Sequence, residues 1–183
     1  MSEDRLPKFS LLNDAGDTIS NPDLRGTYSF IYFAPDIDSE GPREALSDLN
    51  GILGKAEDLR ARLVCVCQED PQTLSQLREE LSLGLDLVSD PEGEIAAAED
   101  VKLEGRDFYR QCLLVDPWGS VRTVCMIPET EDFADNALMI IEEAVYSDQS
   151  LNPAIVSRRA YRAFEEEKID RESITLILEA GHL

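Results

Sequence analysis

Apolar residues along the chain fall into two alternating patterns, short β-branched or aromatic runs and stripes spaced at three and four. This alternation predicts an α/β fold. The central run is Tyr28 to Ala34, YSFIYFA, which carries no charge and suits a strand buried on both faces of a sheet. After Pro35 comes a polar loop with Asp36, Asp38, Ser39 and Glu40, and Gly41-Pro42 then opens a helix. In that helix Leu46, Leu49, Leu53 and Ala56 recur at helical spacing, so one stripe faces the strand. Arg62 to Cys67 is the next β-branched run and completes a βαβ unit with parallel strands and a right-handed crossover.

Beyond it, Glu69-Asp70-Pro71 starts a helix with Leu74, Leu77 and Leu81 inward, and Leu85 to Val88 is a strand ended by Ser89-Asp90-Pro91. A small helix is expected over Glu94 to Ala98, followed by an irregular link. Hairpins are expected near both ends of this core. Lys8 to Leu12 and Thr18 to Ser20 flank a turn containing Gly16. Arg110 to Asp116 and Ser120 to Ile127 flank Asp116-Pro117-Trp118-Gly119, which has type I turn chemistry. With Pro117-Trp118 at the turn centre, Asp116 pairs with Gly119. Cys125 then lies opposite Arg110 and on the same face as Cys112. Glu131 to Tyr146 closes the domain as an amphipathic helix, with Phe133, Ala137, Leu138, Ile141 and Val145 on one face. The polar, proline-punctuated stretch from Ser147 to Pro153 marks a boundary, dividing the chain into a domain at 1–148 and a tail at 149–183.

Charge narrows the function classes. The net charge is −21, with 38 acidic residues against 17 basic ones. Nucleic acid and anionic membrane surfaces are therefore disfavoured as partners. Two origins fit the acidity: an ordinary acidic surface, or solubility in high salt, where screening relieves self-repulsion. The single histidine, His182, removes the material for Ser-His-Asp or Cys-His catalysis and for histidine metal sites. Four cysteines make no disulfide framework. With no signal segment and no membrane span, a cytoplasmic protein is expected. The acidic loop could hold a hard cation, but it lacks the glycine-turn pattern of a calcium loop, so a solvated loop is the simpler reading.

The strand, loop and helix at Tyr28 to Glu44 resemble the active segment of the peroxiredoxin (alkyl hydroperoxide reductase/thiol-specific antioxidant) family, which reads Pro-x-x-x-Thr/Ser-x-x-Cys. The resemblance extends over residues ~6–147, through Leu6-Pro7-Lys8-Phe9, Leu24-Arg25-Gly26 and the SDPEGEIAAAEDV stretch. It implies a thioredoxin-like, three-layer sandwich with an N-terminal β-hairpin and a C-terminal helical extension. It also implies a redox site. Pro35, Ser39 and Arg110 match the family's supporting residues, but Pro42 stands where the family has its peroxidatic cysteine, and no cysteine occurs between Met1 and Val64. Since proline cannot attack a peroxide, conventional peroxidase activity is not expected.

Other roles stay open for these residues. Ser39 equally suits a helix cap, and Arg110 an ion pair with the loop carboxylates. Cys65 and Cys67 share a strand face and are expected to be core thiols, too far apart for a relaxed disulfide. Cys112 and Cys125 are either buried and inert or the site of a displaced thiol whose pKa Arg110 lowers.

In the tail, Ser157-Arg158-Arg159-Ala160-Tyr161-Arg162-Ala163-Phe164 resembles the opening segment of the nitroreductase family of flavin enzymes. There the residues matched by Arg158, Arg159 and Arg162 help hold the FMN phosphate. FMN is expected only if a complete nitroreductase domain exists, and no cofactor is expected in this chain. The combined expectation is an accessory, docking or binding domain of an oxidoreductase, with a protein partner or a second copy of itself. The alternative is a noncanonical thiol peroxidase using Cys112 or Cys125 beside Arg110.

Overall fold

The computed structural model describes residues 6, 8–34, 36–93, 95, 111–126 and 132–150. Pro35, Arg110, the FMN-phosphate-like Arg158, Arg159 and Arg162, and every residue of the small helix expected over Glu94 to Ala98 except Ile95 lie outside these residues. The chain divides into two compact units, Met1–Asp148 and Gln149–Leu183.

Among the described residues seven strands form one sheet: β1 (Ser10–Asn13), β2 (Thr18–Ser20), β3 (Tyr28–Phe33), β4 (Ala61–Cys67), β5 (Asp86–Ser89), β6 (Gln111–Val115) and β7 (Val121–Met126). Their order across the sheet is β2-β1-β5-β4-β3-β6-β7. The pairs β3/β4 and β4/β5 are parallel, whereas β6 returns antiparallel to β3 and carries β7 at the edge. The uncharged run at Tyr28 lies at the centre because both of its faces are covered. Alternation sends Tyr28, Phe30 and Tyr32 into one core and Ile31 and Phe33 into the other.

Helices α1 (Glu40–Gly51), α2 (Leu53–Asp58), α3 (Pro71–Leu81) and α4 (Phe133–Ser150) supply the first core. Leu6, Phe9, Ile19, Leu24 and Ile95 cover the other face. The single helix expected after Pro42 is interrupted at Ile52, with glycines at positions 51 and 54, where low helix propensity permits the break. Its apolar stripe survives: Leu46, Leu49 and Ala56 are buried and Leu53 packs beside them. Helix α3 begins as its sequence dictates. Pro71 opens it, and the Asp70 carboxylate accepts the N–H groups of Gln72 at 2.9 Å and Thr73 at 3.2 Å.

Two polar clusters fix distant elements. Arg78 on α3 grips Asp14 in the β1–β2 turn through Nε and, at 2.9 Å, through Nη2, and it donates to the Leu83 carbonyl at 2.6 Å and the Leu85 carbonyl at 2.9 Å. Asp148, near the end of α4, accepts the Tyr28 hydroxyl from the start of β3 and Arg122 Nη2 from β7 at 3.0 Å. Burial, then that hydrogen bond, hold the Tyr28 phenol protonated far above its usual range.

The β6–β7 register differs from expectation. Gly119 adopts φ 89° and Asp116 pairs with Ser120, so the connection is a three-residue loop of the type I plus bulge kind. A further irregularity at Leu114/Val115 shifts the ladder again. Together these move Cys125 two positions along, from Arg110 to a place directly opposite Cys112.

Candidate functional site at the end of the central strand

The loop after β3 is held by its own carboxylate. Asp36 accepts the Asp38 N–H at 3.0 Å and the Ser39 hydroxyl at 2.6 Å, and these bonds, the hydroxyl first, hold its carboxyl below the usual range. Ser39 occupies the N-cap position of α1, yet its hydroxyl makes no cap bond because Asp36 takes it. Ile37 points inward and is 3% exposed. Pro42 is buried in the first turn of α1. Arg43 donates to the Ile37 carbonyl at 3.4 Å and pairs with Glu80 of α3 at 2.7 Å, tying loop to helix.

Facing this loop from the end of β4 is Glu69, a residue that periodicity does not single out. Its one available signal is position: it follows a parallel strand at the carboxyl edge of the sheet, where ligand sites of such folds gather. The Ile37 N–H donates to its carboxylate, while Oε2 is buried without a partner among the described residues. Burial raises its pKa, and the charges of Asp36 and Asp38 add to the rise. A raised carboxylate pKa means that the folded state binds the proton more tightly than the unfolded chain. The resulting stability is therefore full below the unfolded value and is lost as pH climbs through the folded one. Glu69→Gln should thus be more stable than the parent at pH 7.5, by less than about 1 kcal/mol because the group is half-exposed. The gap should close as pH falls towards 5. Denaturant midpoints at the two pH values test this, and an equal gap at both would refute it.

All four cysteines are reduced thiols. Cys65 and Cys67 bring their sulfur atoms to 3.4 Å on one face of β4, and both are buried. The hydrogen bond with Cys65, then burial, hold the Cys67 thiol well above its ordinary value, and the Cys65 and Glu69 charges add to this. This thiol lies two residues before Glu69 along the chain, but it is held protonated and is closed to solvent. Cys112 is buried on β6 and Cys125 is half-buried on β7. As a thiol Cys125 donates to the Cys112 carbonyl at 3.7 Å. As a thiolate it accepts from the Cys112 thiol, which sets its pKa below the ordinary value against the opposing effect of burial.

The described part of the site thus joins Ser39 and Pro42 with Asp36, Asp38 and Glu69, and leaves Cys112 and Cys125 in a separate cluster on β6 and β7. A thiolate placed at Pro42 would have the helix N-terminus in its favour and three carboxylates against it. Among the described residues no group of three His, Cys, Asp or Glu side chains is arranged to hold a metal ion. No described helix is long and apolar enough to cross a membrane.

Residues 3–124 match the AhpC/TSA family. A Mycobacterium tuberculosis protein bearing a peroxiredoxin name is 28% identical over 95 residues, covering 52% of this chain and 60% of that relative's length. A Haemophilus influenzae protein with a peroxiredoxin name is 27% identical over 127 residues, covering 66% of this chain and 82% of its own. Among solved structures, Enterococcus faecalis AhpC superposes with a TM-score of 0.73 at 18% identity, covering 80% of this chain and 93% of that one. The Xanthomonas campestris bacterioferritin comigratory protein, described for its alkyl peroxide reduction activity, superposes at 0.69 with 20% identity and covers 75% and 92%. These superpositions show a thioredoxin-like, peroxiredoxin-type α/β fold. With two thirds of its length matched to one family and a sheet built in that family's way, this chain belongs to the AhpC/TSA family.

Proposed function

We propose that this chain is a redox-associated AhpC/TSA domain that docks or binds rather than reducing peroxide by the family's usual route. The observation that carries the reading is Pro42, buried in the first turn of α1 where a peroxidatic sulfur would stand. Among the described residues around the loop none replaces that sulfur, since Ser39 is engaged by Asp36 and Cys67 is buried with its thiol held protonated. The resemblance of Arg158, Arg159 and Arg162 to an FMN-phosphate motif supports an accessory role within a nitroreductase-type oxidoreductase. Those three arginines lie outside the described residues. Protein, as a partner or a second copy, is the class of surface this domain would meet. The acidic charge argues against nucleic acid.

A second reading is favoured by one observation: Cys125 is a half-buried thiol directly opposite Cys112 on the neighbouring strand. In that reading it is the nucleophile of a noncanonical thiol peroxidase, with Cys112 beside it. One assay separates the two. Hydrogen peroxide consumption with dithiothreitol as reductant should not exceed the buffer rate, and turnover in the range usual for peroxiredoxins would overturn the docking reading. If turnover appears, its loss in Cys125→Ser identifies the nucleophile.

A further inference from the structure

One side of the sheet carries a transverse row of chemistry that the docking reading does not use. Cys125 on β7 is opposite Cys112 on β6, Cys112 is opposite Tyr32 on β3, and Tyr32 is opposite Cys65 on β4. All four belong to or pack against the core under the helices, where Phe133 of α4 meets the Tyr32 ring edge-on at 5.1 Å. Tyr32 therefore separates the two cysteine pairs, and Cys112 has Cys125 as its neighbouring thiol in the row. Directly opposed antiparallel residues have Cα atoms about 4.5 to 5.5 Å apart. A disulfide spans about 4.4 to 6.8 Å between Cα atoms. The contact of Cys125 Sγ with the Cys112 carbonyl at 3.7 Å already turns that sulfur across the ladder.

We propose that Cys112 and Cys125 are a dithiol/disulfide couple that closes across β6 and β7 and locks the edge strand to the sheet. The oxidant is a low-molecular-weight disulfide, RSSR. Access decides the order of steps, because Cys125 is half-buried and Cys112 is sealed. The Cys125 thiolate attacks one sulfur of RSSR, forming a mixed disulfide and expelling RS⁻. The Cys112 thiol then loses its proton to the expelled thiolate and attacks the Cys125 sulfur, expelling the second RS⁻, which takes a proton from water. The Cys125 thiol released the matching proton when it ionised, so the sum is two protein thiols and RSSR giving one protein disulfide and two RSH. The protein loses two electrons and RSSR gains them.

This couple needs no peroxide and stands whether or not the domain has peroxidase activity. Cys65 and Cys67, though their sulfurs are in contact, are closed to solvent and Cys67 is held protonated. They are expected to stay reduced.

The test equilibrates the full chain with mixtures of reduced and oxidised glutathione. It is then quenched with alkylating reagent in denaturant and the peptides mapped. The expected product is a Cys112–Cys125 cross-link with Cys65 and Cys67 alkylated, and slower amide exchange over residues 121–126 in the oxidised form. Cys112→Ala, which cannot complete the second step, should instead accumulate glutathione on Cys125. Recovery of all four thiols at the most oxidising mixture would overturn the proposal. So would a Cys65–Cys67 cross-link in place of the expected one, unchanged exchange in β7, or a Cys112→Ala protein that takes no glutathione.

Discussion

Pro42→Cys should give this domain a peroxide-reactive sulfur that the parent lacks. Pro42 is the third residue of α1 and is buried. Cysteine at this place is small, and it returns an N–H to the first turn, where donors are free to face a thiolate or an anion. The expected result is a sulfenic acid trapped at position 42 within the time in which the parent shows none. The reaction should be at least about tenfold faster than that of any native thiol. Asp36, Asp38 and Glu69 should keep the variant slower than a family peroxidase, because they disfavour a second negative charge. Adding Glu69→Gln should therefore raise the rate further at neutral pH. If the new thiol is as inert as the native ones, the loop itself is unfit, and the missing sulfur alone does not account for the site.

Arg78→Ala should cost about 3 kcal/mol, among the larger effects expected of a single substitution here. The guanidinium answers four acceptors at once, two carboxylate oxygens of Asp14 and the carbonyls of Leu83 and Leu85. Removing it leaves the Asp14 side chain, only 8% exposed, as a buried charge without its counterion. Two carbonyls lose their donor at the same time. Because these acceptors lie on the β1–β2 turn and the α3–β5 connection, the loss should loosen the N-terminal hairpin first. Arg78→Lys should recover only part of the stability, since a single ammonium cannot reproduce the planar fork. Urea midpoints of the two variants decide the matter, and a loss below about 1 kcal/mol for Arg78→Ala would sink the argument.

Much of the fold is legible in the residues because the signals are local. The Tyr28 run has no charge to place in solvent, so it is central. Asp70-Pro71 writes a helix start in three bonds that the structure reproduces. Asn13 likewise closes the first hairpin by accepting the N–H groups of Ala15 and Asp17, with Gly16 at φ 84°. The β6–β7 register is a different matter. Its turn residues were readable, but the count of residues in the loop depends on whether Gly119 enters the left-handed region, and the irregularity at Leu114/Val115 has no local signature. A shift of two positions preserves the face of every side chain, so the alternating pattern cannot detect it. Placing Cys125 on the Cys112 face was therefore sound, whereas placing it opposite Arg110 was not.

The residues alone determined that no cysteine precedes Cys65 and that the charge is strongly negative. Composition and position along the chain decide such matters without reference to packing. Tertiary structure decided which groups meet. It gave the Ser39 hydroxyl to Asp36, set Glu69 against the loop with one oxygen unpartnered, and aligned Cys125 with Cys112. Each of these depends on the placement of a loop or strand end to within a few ångströms, which turn conformation and long-range packing set and hydrophobic periodicity leaves undetermined.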